Sequence, residues 1–219
     1  LPEHHNIWAF SEQASYVGGD LYDIILMPDS SILAYVADIS GKGVAAALLM
    51  ASLSTKLRTE AHSHQNINKL LQTVNESMYT LMSDEGYFAT IILIRYSPVT
   101  GRVQFIRAGH PTPLWIKDDE LKVIEPLKGI SLGVLQDVEY QIQEIQLAPG
   151  NSLVLFSDGV NEAENEIHEL FGDDRLTDCI SRLEGPPWGH HIVEAVKAWR
   201  GEAEVNDDLT VLEMWQENH

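Results

Sequence analysis

The chain has 219 residues, long enough for a sizeable core and short enough to read as one domain. Its 33 acidic residues against 14 Lys and Arg give a net charge of -19, which repels nucleic acid and anionic membrane surfaces. With 44% hydrophobic residues it is too apolar for a disordered chain, and Val44 to Leu53, its longest apolar run, is too short to span a bilayer.

The single cysteine, Cys179, forms neither an internal disulfide nor a multi-cysteine metal site and reads as a core residue. The chain opens at "LPEHH" without a charged leader, which suggests a piece of a longer protein.

In chain order, Ile7–Phe10 is a short strand. "LYDIILM" and "SILAYVADI" are strands separated by the turn "PDSS". The second is apolar on both faces, with Ile32, Ala34 and Val36 on one and Leu33, Tyr35 and Ala37 on the other, so it belongs in the middle of a layered fold. Lys42–Glu60 and Ile67–Met82 carry apolar residues at helical spacing. "YFATIILIRY" and "RVQFIR" make a hairpin, as do "TPLWI" and "LKVIE". "EYQIQEIQL" changes parity near Gln143, where a bulge is expected. "NSLVLFSDG" is another buried strand, Phe171–Leu183 and His191–Trp199 are helices, and "DDLTVLEMW" closes the chain as a strand. Sequential hairpins with paired helices make an α+β fold with antiparallel sheets.

Four acidic positions share one character. Asp20 precedes a strand, Asp38 and Asp158 end buried strands, and Asp207 and Asp208 open the last one. Strand ends can converge at one edge of a layered fold. Gathered carboxylates repel, and a cation between them removes that cost. Oxygen ligands suit magnesium, manganese or calcium. Asp at a strand end before Gly is also ordinary turn chemistry, so no one of these residues decides the matter alone.

"VGGDLYD", "VADISGKGVAAALLMA", "FATIILIRYSPVTGRVQFIRAGHPTPLWI", "LFSDGVNEAEN" and "NDDLTVL" occur in that order. With these motifs the chain resembles the SpoIIE/RsbU-like bacterial branch of the PPM metal-dependent protein serine/threonine phosphatases, from about Pro2 to Leu212. The resemblance implies an αββα sandwich over 1–219, two antiparallel sheets flanked by helix pairs. It implies two manganese or magnesium ions, with Asp38 bridging both, the Ile39 carbonyl on one, Asp158 and Asp207 on the other, and Asp20 acting through water. Gly19 and Asp208 would be supporting residues.

The implied reaction is hydrolysis of phosphoserine or phosphothreonine by a metal-bridging hydroxide. The implied substrate is a STAS-type anti-sigma-factor antagonist, in a cytoplasmic stress-response pathway. An upstream sensor or response-regulator domain would gate the enzyme through the helix pair between Lys42 and Met82. A homodimer is left open. Nucleic acid is excluded as a partner, and so is direct membrane insertion of this domain, although its parent could be membrane-anchored.

Ser15 stands where many eukaryotic relatives carry a phosphate-binding Arg. His110 in "AGHP" reads as a general acid or, more commonly for such a site, as a turn stabiliser. Lys42 meets phosphate or is simply solvated. The competing functional reading is a non-enzymatic adaptor of the same fold. The presence of all four ligand-type aspartates favours the enzyme.

Overall fold

A strand with two apolar faces has to be covered twice, and the fold is organised around that need. The computed structural model describes residues 5–15, 18–126, 128–181 and 185–217. Its elements run β1 (His5–Glu12), β2 (Asp20–Leu26), β3 (Ile32–Ile39), α1 (Val44–Ala61), α2 (Ile67–Met82), β4 (Ala89–Ser97), β5 (Arg102–Ala108), β6 (Leu114–Lys117), β7 (Glu120–Lys122), β8 (Gln143–Gln146), β9 (Ser152–Phe156), α3 (Gly172–Ser181), α4 (Trp188–Arg200) and β10 (Leu209–Gln216). One sheet has the order β2-β3-β4-β5-β8 and the other β1-β10-β9-β6-β7, with every ladder antiparallel.

The two faces of β3 lie in different cores. Leu33, Tyr35 and Ala37 pack against Leu53 and Leu57 of α1 and Leu70, Val74 and Met78 of α2. Ile32, Ala34 and Val36 meet Leu153, Leu155, Leu212 and Met214 of the other sheet. The outer face of that sheet, through Val154 and Val211, packs on Ile180, Trp188, Ile192 and Val196 of the second helix pair. The layers are therefore helix, sheet, sheet, helix. Each fully buried Leu, Ile or Val contributes about 1.5–3 kcal/mol of transfer free energy to these three cores.

Local chemistry explains most boundaries. The Asn66 side chain caps α2, accepting from the N–H of Asn68 at 2.8 Å and of Lys69 at 3.2 Å. Asp118 and Asp119 both take positive φ, 53° and 59°, which lets a two-residue turn join β6 to β7. Cys179 is half-buried against the outer core, and Trp188 lies within it.

Two expectations are corrected. No bulge forms near Gln143: the parity change is where β8 starts, so Tyr140 packs under α1 and α2 while Ile145 and Leu147 turn toward the other sheet. The last helix starts at Trp188 rather than at His191. Its first turn is satisfied from a distance, because Oε2 of Glu213 on β10 accepts the N–H of Gly189 at 2.7 Å. The expected end of α3 at Leu183 lies outside the described residues.

Glu213 is fully buried, and its Oε1 has no hydrogen-bond partner among the described residues. Burial raises its pKa from 4.5 to about 7, against the pull of the Gly189 and Trp188 N–H groups. Between those values the folded chain keeps a proton that the unfolded chain releases, so stability falls as pH rises through that window. Glu213→Gln keeps an acceptor for the helix and removes the titration. Urea unfolding at pH 5 and pH 8 should show a flatter pH dependence for the variant and a gain of up to about 3 kcal/mol at pH 8.

Candidate metal centre

The register of the first sheet puts three polar side chains in one row. Asp20 pairs with Asp38 across β2 and β3, and Asp38 pairs with Thr90 across β3 and β4. Directly opposed residues of an antiparallel ladder share a face. Asp38 continues the parity of Ile32, Ala34 and Val36, so that face looks toward the other sheet. The row therefore stands at the edge where the gap between the sheets opens.

The other sheet supplies its carboxylates at the same edge. Asp158 lies two residues past β9, and Asp207 two before β10, its neighbour in the sheet. Ser157 fastens these ends together. Its N–H donates to the Thr210 carbonyl at 2.9 Å, and its hydroxyl oxygen accepts the N–H of Thr210 at 3.0 Å.

Asp208 ties the two sheets. Its Oδ1 accepts the N–H of Ala14 at 2.7 Å, and its Oδ2 accepts those of Gly19 at 2.6 Å and Asp20 at 3.1 Å. Gly19 packs too closely for any side chain: a Cβ there would lie 2.7 Å from the Ile39 carbonyl oxygen and 2.8 Å from Asp38 Oδ1. After Ile39, Gly41 and Gly43 both hold φ at 87° and swing the chain into α1.

Burial and like charge act together on this edge. Burial is the main cause that pushes Asp20 up to about 8. The Ser157 and Thr210 hydroxyls oppose it, and the charges of Asp38 and Asp208 add to it. Asp38 is pushed up to about 7 by burial and by Asp158, Asp207 and Asp208, with Lys42 opposing. Asp158 is raised by burial and by Asp207, and Glu162 by burial and then by Asp158 and Asp207. Asp20 Oδ2 is buried with no hydrogen-bond partner among the described residues.

These residues fit a hard divalent cation. The donors are all oxygen, one buried carboxylate oxygen is orphaned, and a cation would relieve the repulsion that raises the group. Among the described residues no three carboxylate, imidazole or thiolate groups close around a single point. The carboxylates are thus electrostatic neighbours along an open edge, and any closure belongs to the loaded protein.

Of the residues singled out in the sequence, Asp20, Asp38, Asp158 and Asp207 share this edge, with the Ile39 carbonyl beside Gly19. Asp208 is instead occupied by backbone N–H groups. His110 is buried, with Nδ1 2.8 Å from Thr90 Oγ1. Burial pushes its pKa down to about 3, so near pH 7 it is the neutral imidazole and not the imidazolium that a strong general acid would need. It acts as a structural link between β4 and the turn after β5. Lys42 Nζ donates to the Asn206 carbonyl at 2.9 Å, joining the loop before α1 to the loop that carries Asp207.

Two residues at the site were not read from the sequence. Glu162 looks like one more solvated acid, yet its N–H donates to the Asp158 carbonyl at 2.8 Å. Arg107 lies inside a strand and shares a cleft with Asp158.

Asp208→Ala leaves three N–H groups without their acceptor and should lower the unfolding free energy by roughly 2–3 kcal/mol in urea titrations. Asp208→Asn, which keeps one acceptor oxygen, should lose less.

Comparison with known proteins identifies the family and the fold. The family model for Stage II sporulation protein E (SpoIIE) matches residues 28–215. The phosphoserine phosphatase RsbU of Bacillus subtilis is 30% identical over 167 residues, covering 74% of this chain and 48% of RsbU, so the chain spans about half the length of that relative. Among solved structures, the SiaA-PP2C domain of Pseudomonas aeruginosa superposes with a TM-score of 0.81 at 25% identity, over 100% of this chain and 87% of that one. RsbX in complex with magnesium superposes with a TM-score of 0.73 at 14% identity, over 99% of this chain and 98% of that one.

Proposed function

Because the chain belongs to the SpoIIE family, in the RsbU-like branch of the PPM phosphatases, we propose that it is a divalent-metal-dependent protein phosphatase acting on phosphoserine or phosphothreonine. The observation that carries this reading is the set of carboxylates delivered to one edge by both sheets, with Asp20 and Asp38 raised by burial and mutual charge.

Asp38 would hold both of two ions, Asp158 and Asp207 one of them, the Ile39 carbonyl the other, and Asp20 would act through water. Manganese or magnesium is the cation type that oxygen donors select, and RsbX, of the same fold, has been crystallised with magnesium. The chemistry such ions supply is Lewis-acid activation of water and neutralisation of phosphoryl charge. The chain's own part is to position. The ladder between β2 and β3 sets Asp20 against Asp38, Ser157 sets Asp158 beside Asp207, and Asp208 holds the sheets in register. His110 would serve as scaffold, linking Thr90 to the turn after β5, and water would supply the proton to the leaving serine oxygen.

The partner that fits this reading is a phosphorylated STAS-type anti-sigma-factor antagonist in a sigma-factor pathway, as the likeness to RsbU suggests. A cytoplasmic setting goes with such a partner. No helix among the described residues is long and apolar enough to cross a membrane. Regulation through α1 and α2 is part of the proposal: only residues 40–43 separate β3, which carries Asp38, from α1.

Hydrolysis of an aryl phosphate by the purified chain should require manganese, stop with chelator, and fall at least about 100-fold in Asp38→Asn. Manganese should also raise the Tm of the wild type but not of Asp38→Asn. An inert wild type that still binds a phosphorylated partner would favour the adaptor reading.

A further inference from the structure

The edge that gathers the carboxylates is hostile to a phosphate dianion. Asp158 and Glu162 stand on it, and the chain as a whole carries a net charge of -19. Metal ions at this edge would not by themselves orient every phosphoryl oxygen, and Ser15 has no charge to offer. A cation built into the protein therefore has work to do close by.

A cleft of about 450 Å³ opens beside Asp158, between the turn after β5 and the N-terminal half of α3. Leu114, Phe156 and Leu176 form its apolar lining, Glu162 stands across it, and Arg107 is its guanidinium. Arg107 is half-buried, and its Nη1 donates to the His110 carbonyl at 2.9 Å. His110 is in turn anchored to Thr90, whose register partner is Asp38. The guanidinium is thus held by the same row of residues that presents Asp38, and little side-chain freedom is left to lose when an anion arrives. The apolar lining strengthens its field and offers a surface to the carbons of a substrate chain. Lys42 is the cation whose charge acts on Asp38, but it is exposed and bonded to the Asn206 carbonyl.

We propose that Arg107 is the phosphate-orienting residue of this site: it binds the phosphoryl oxygens of a phosphoserine side chain lying in the cleft between β5 and α3, beside Asp158. The proposal rests on the phosphatase reading for its substrate but is testable by binding alone. Arginine suits the role because two parallel N–H donors match two phosphoryl oxygens, which a lysine matches with only one point charge.

The test titrates inorganic phosphate calorimetrically, in magnesium, against the wild type, Arg107→Ala and Arg107→Lys. Arg102→Ala is the control, since it removes the same charge at the far end of β5, where Arg102 pairs with Glu144. Phosphate Kd should rise about tenfold or more in Arg107→Ala, by a smaller factor in Arg107→Lys, and stay unchanged in Arg102→Ala. KM for an aryl phosphate should rise in parallel, with kcat changed less. An unchanged phosphate Kd in a folded Arg107→Ala overturns the proposal. If that variant does not fold, an unchanged Kd in Arg107→Lys overturns it, and so does a wild type that binds no phosphate. Absence of hydrolysis by a wild type that does bind phosphate sinks the phosphatase reading instead, and the titration still decides Arg107.

Discussion

The carboxylate of Asp208 is the constraint on which the site depends. It belongs to the strand-entry loop of one sheet, and its two oxygens accept N–H groups from Ala14, just past β1 of the same sheet, and from Gly19 and Asp20 at the entry to the other. Face-to-face sheets are held by apolar packing, which is non-directional and tolerates sliding. The two hydrogen bonds that Asp208 accepts across the sheets are directional and do not tolerate it. They convert a packed interface into a defined edge, and that edge is where Asp20, Asp38, Asp158 and Asp207 are presented.

A stable fold would not choose this edge for its own sake. Burial and neighbouring charge raise Asp20, Asp38 and Asp158 together, and one oxygen of Asp20 is buried without a partner. The interior apolar layers on either side supply the stability that tolerates such an edge. Unfavourable electrostatics in a sound scaffold is the usual mark of a functional site. The neutral, buried His110 makes the same point from the other side. A titratable residue near the chemistry has been turned into scaffold, linking Thr90 to the turn that also receives Arg107.

The connections around the edge are short. The chain passes from Asp38 to α1 through a glycine-flanked lysine whose Nζ reaches the Asn206 carbonyl. The loop before α1 and the loop before β10 therefore touch, although they are far apart in sequence. On α1 itself Val44 and Leu48 remain exposed, because the helix is apolar around most of its circumference and the sheet covers only one side.

Much of the architecture was legible in the residues. The two apolar faces of β3 demand a layered fold, the periodicities of 42–60 and 67–82 locate a helix pair, and the strand-end aspartates with their neighbouring glycines point to a cation site, because such patterns depend only on local period and residue chemistry. What sequence could not supply was long-range. That α4 begins at Trp188 depends on Glu213, 24 residues later, accepting the Gly189 N–H. That the parity change at Gln143 is a strand start depends on where Tyr140 finds its pocket. Arg107, read as one more strand residue, becomes part of the site because the turn after β5 folds against β9 and α3. Asp207 and Asp208 are neighbours of identical type, and the tertiary structure separates their parts. A hydrogen-bond acceptor is defined by the donors brought to it, and those donors come from a segment almost the whole chain away.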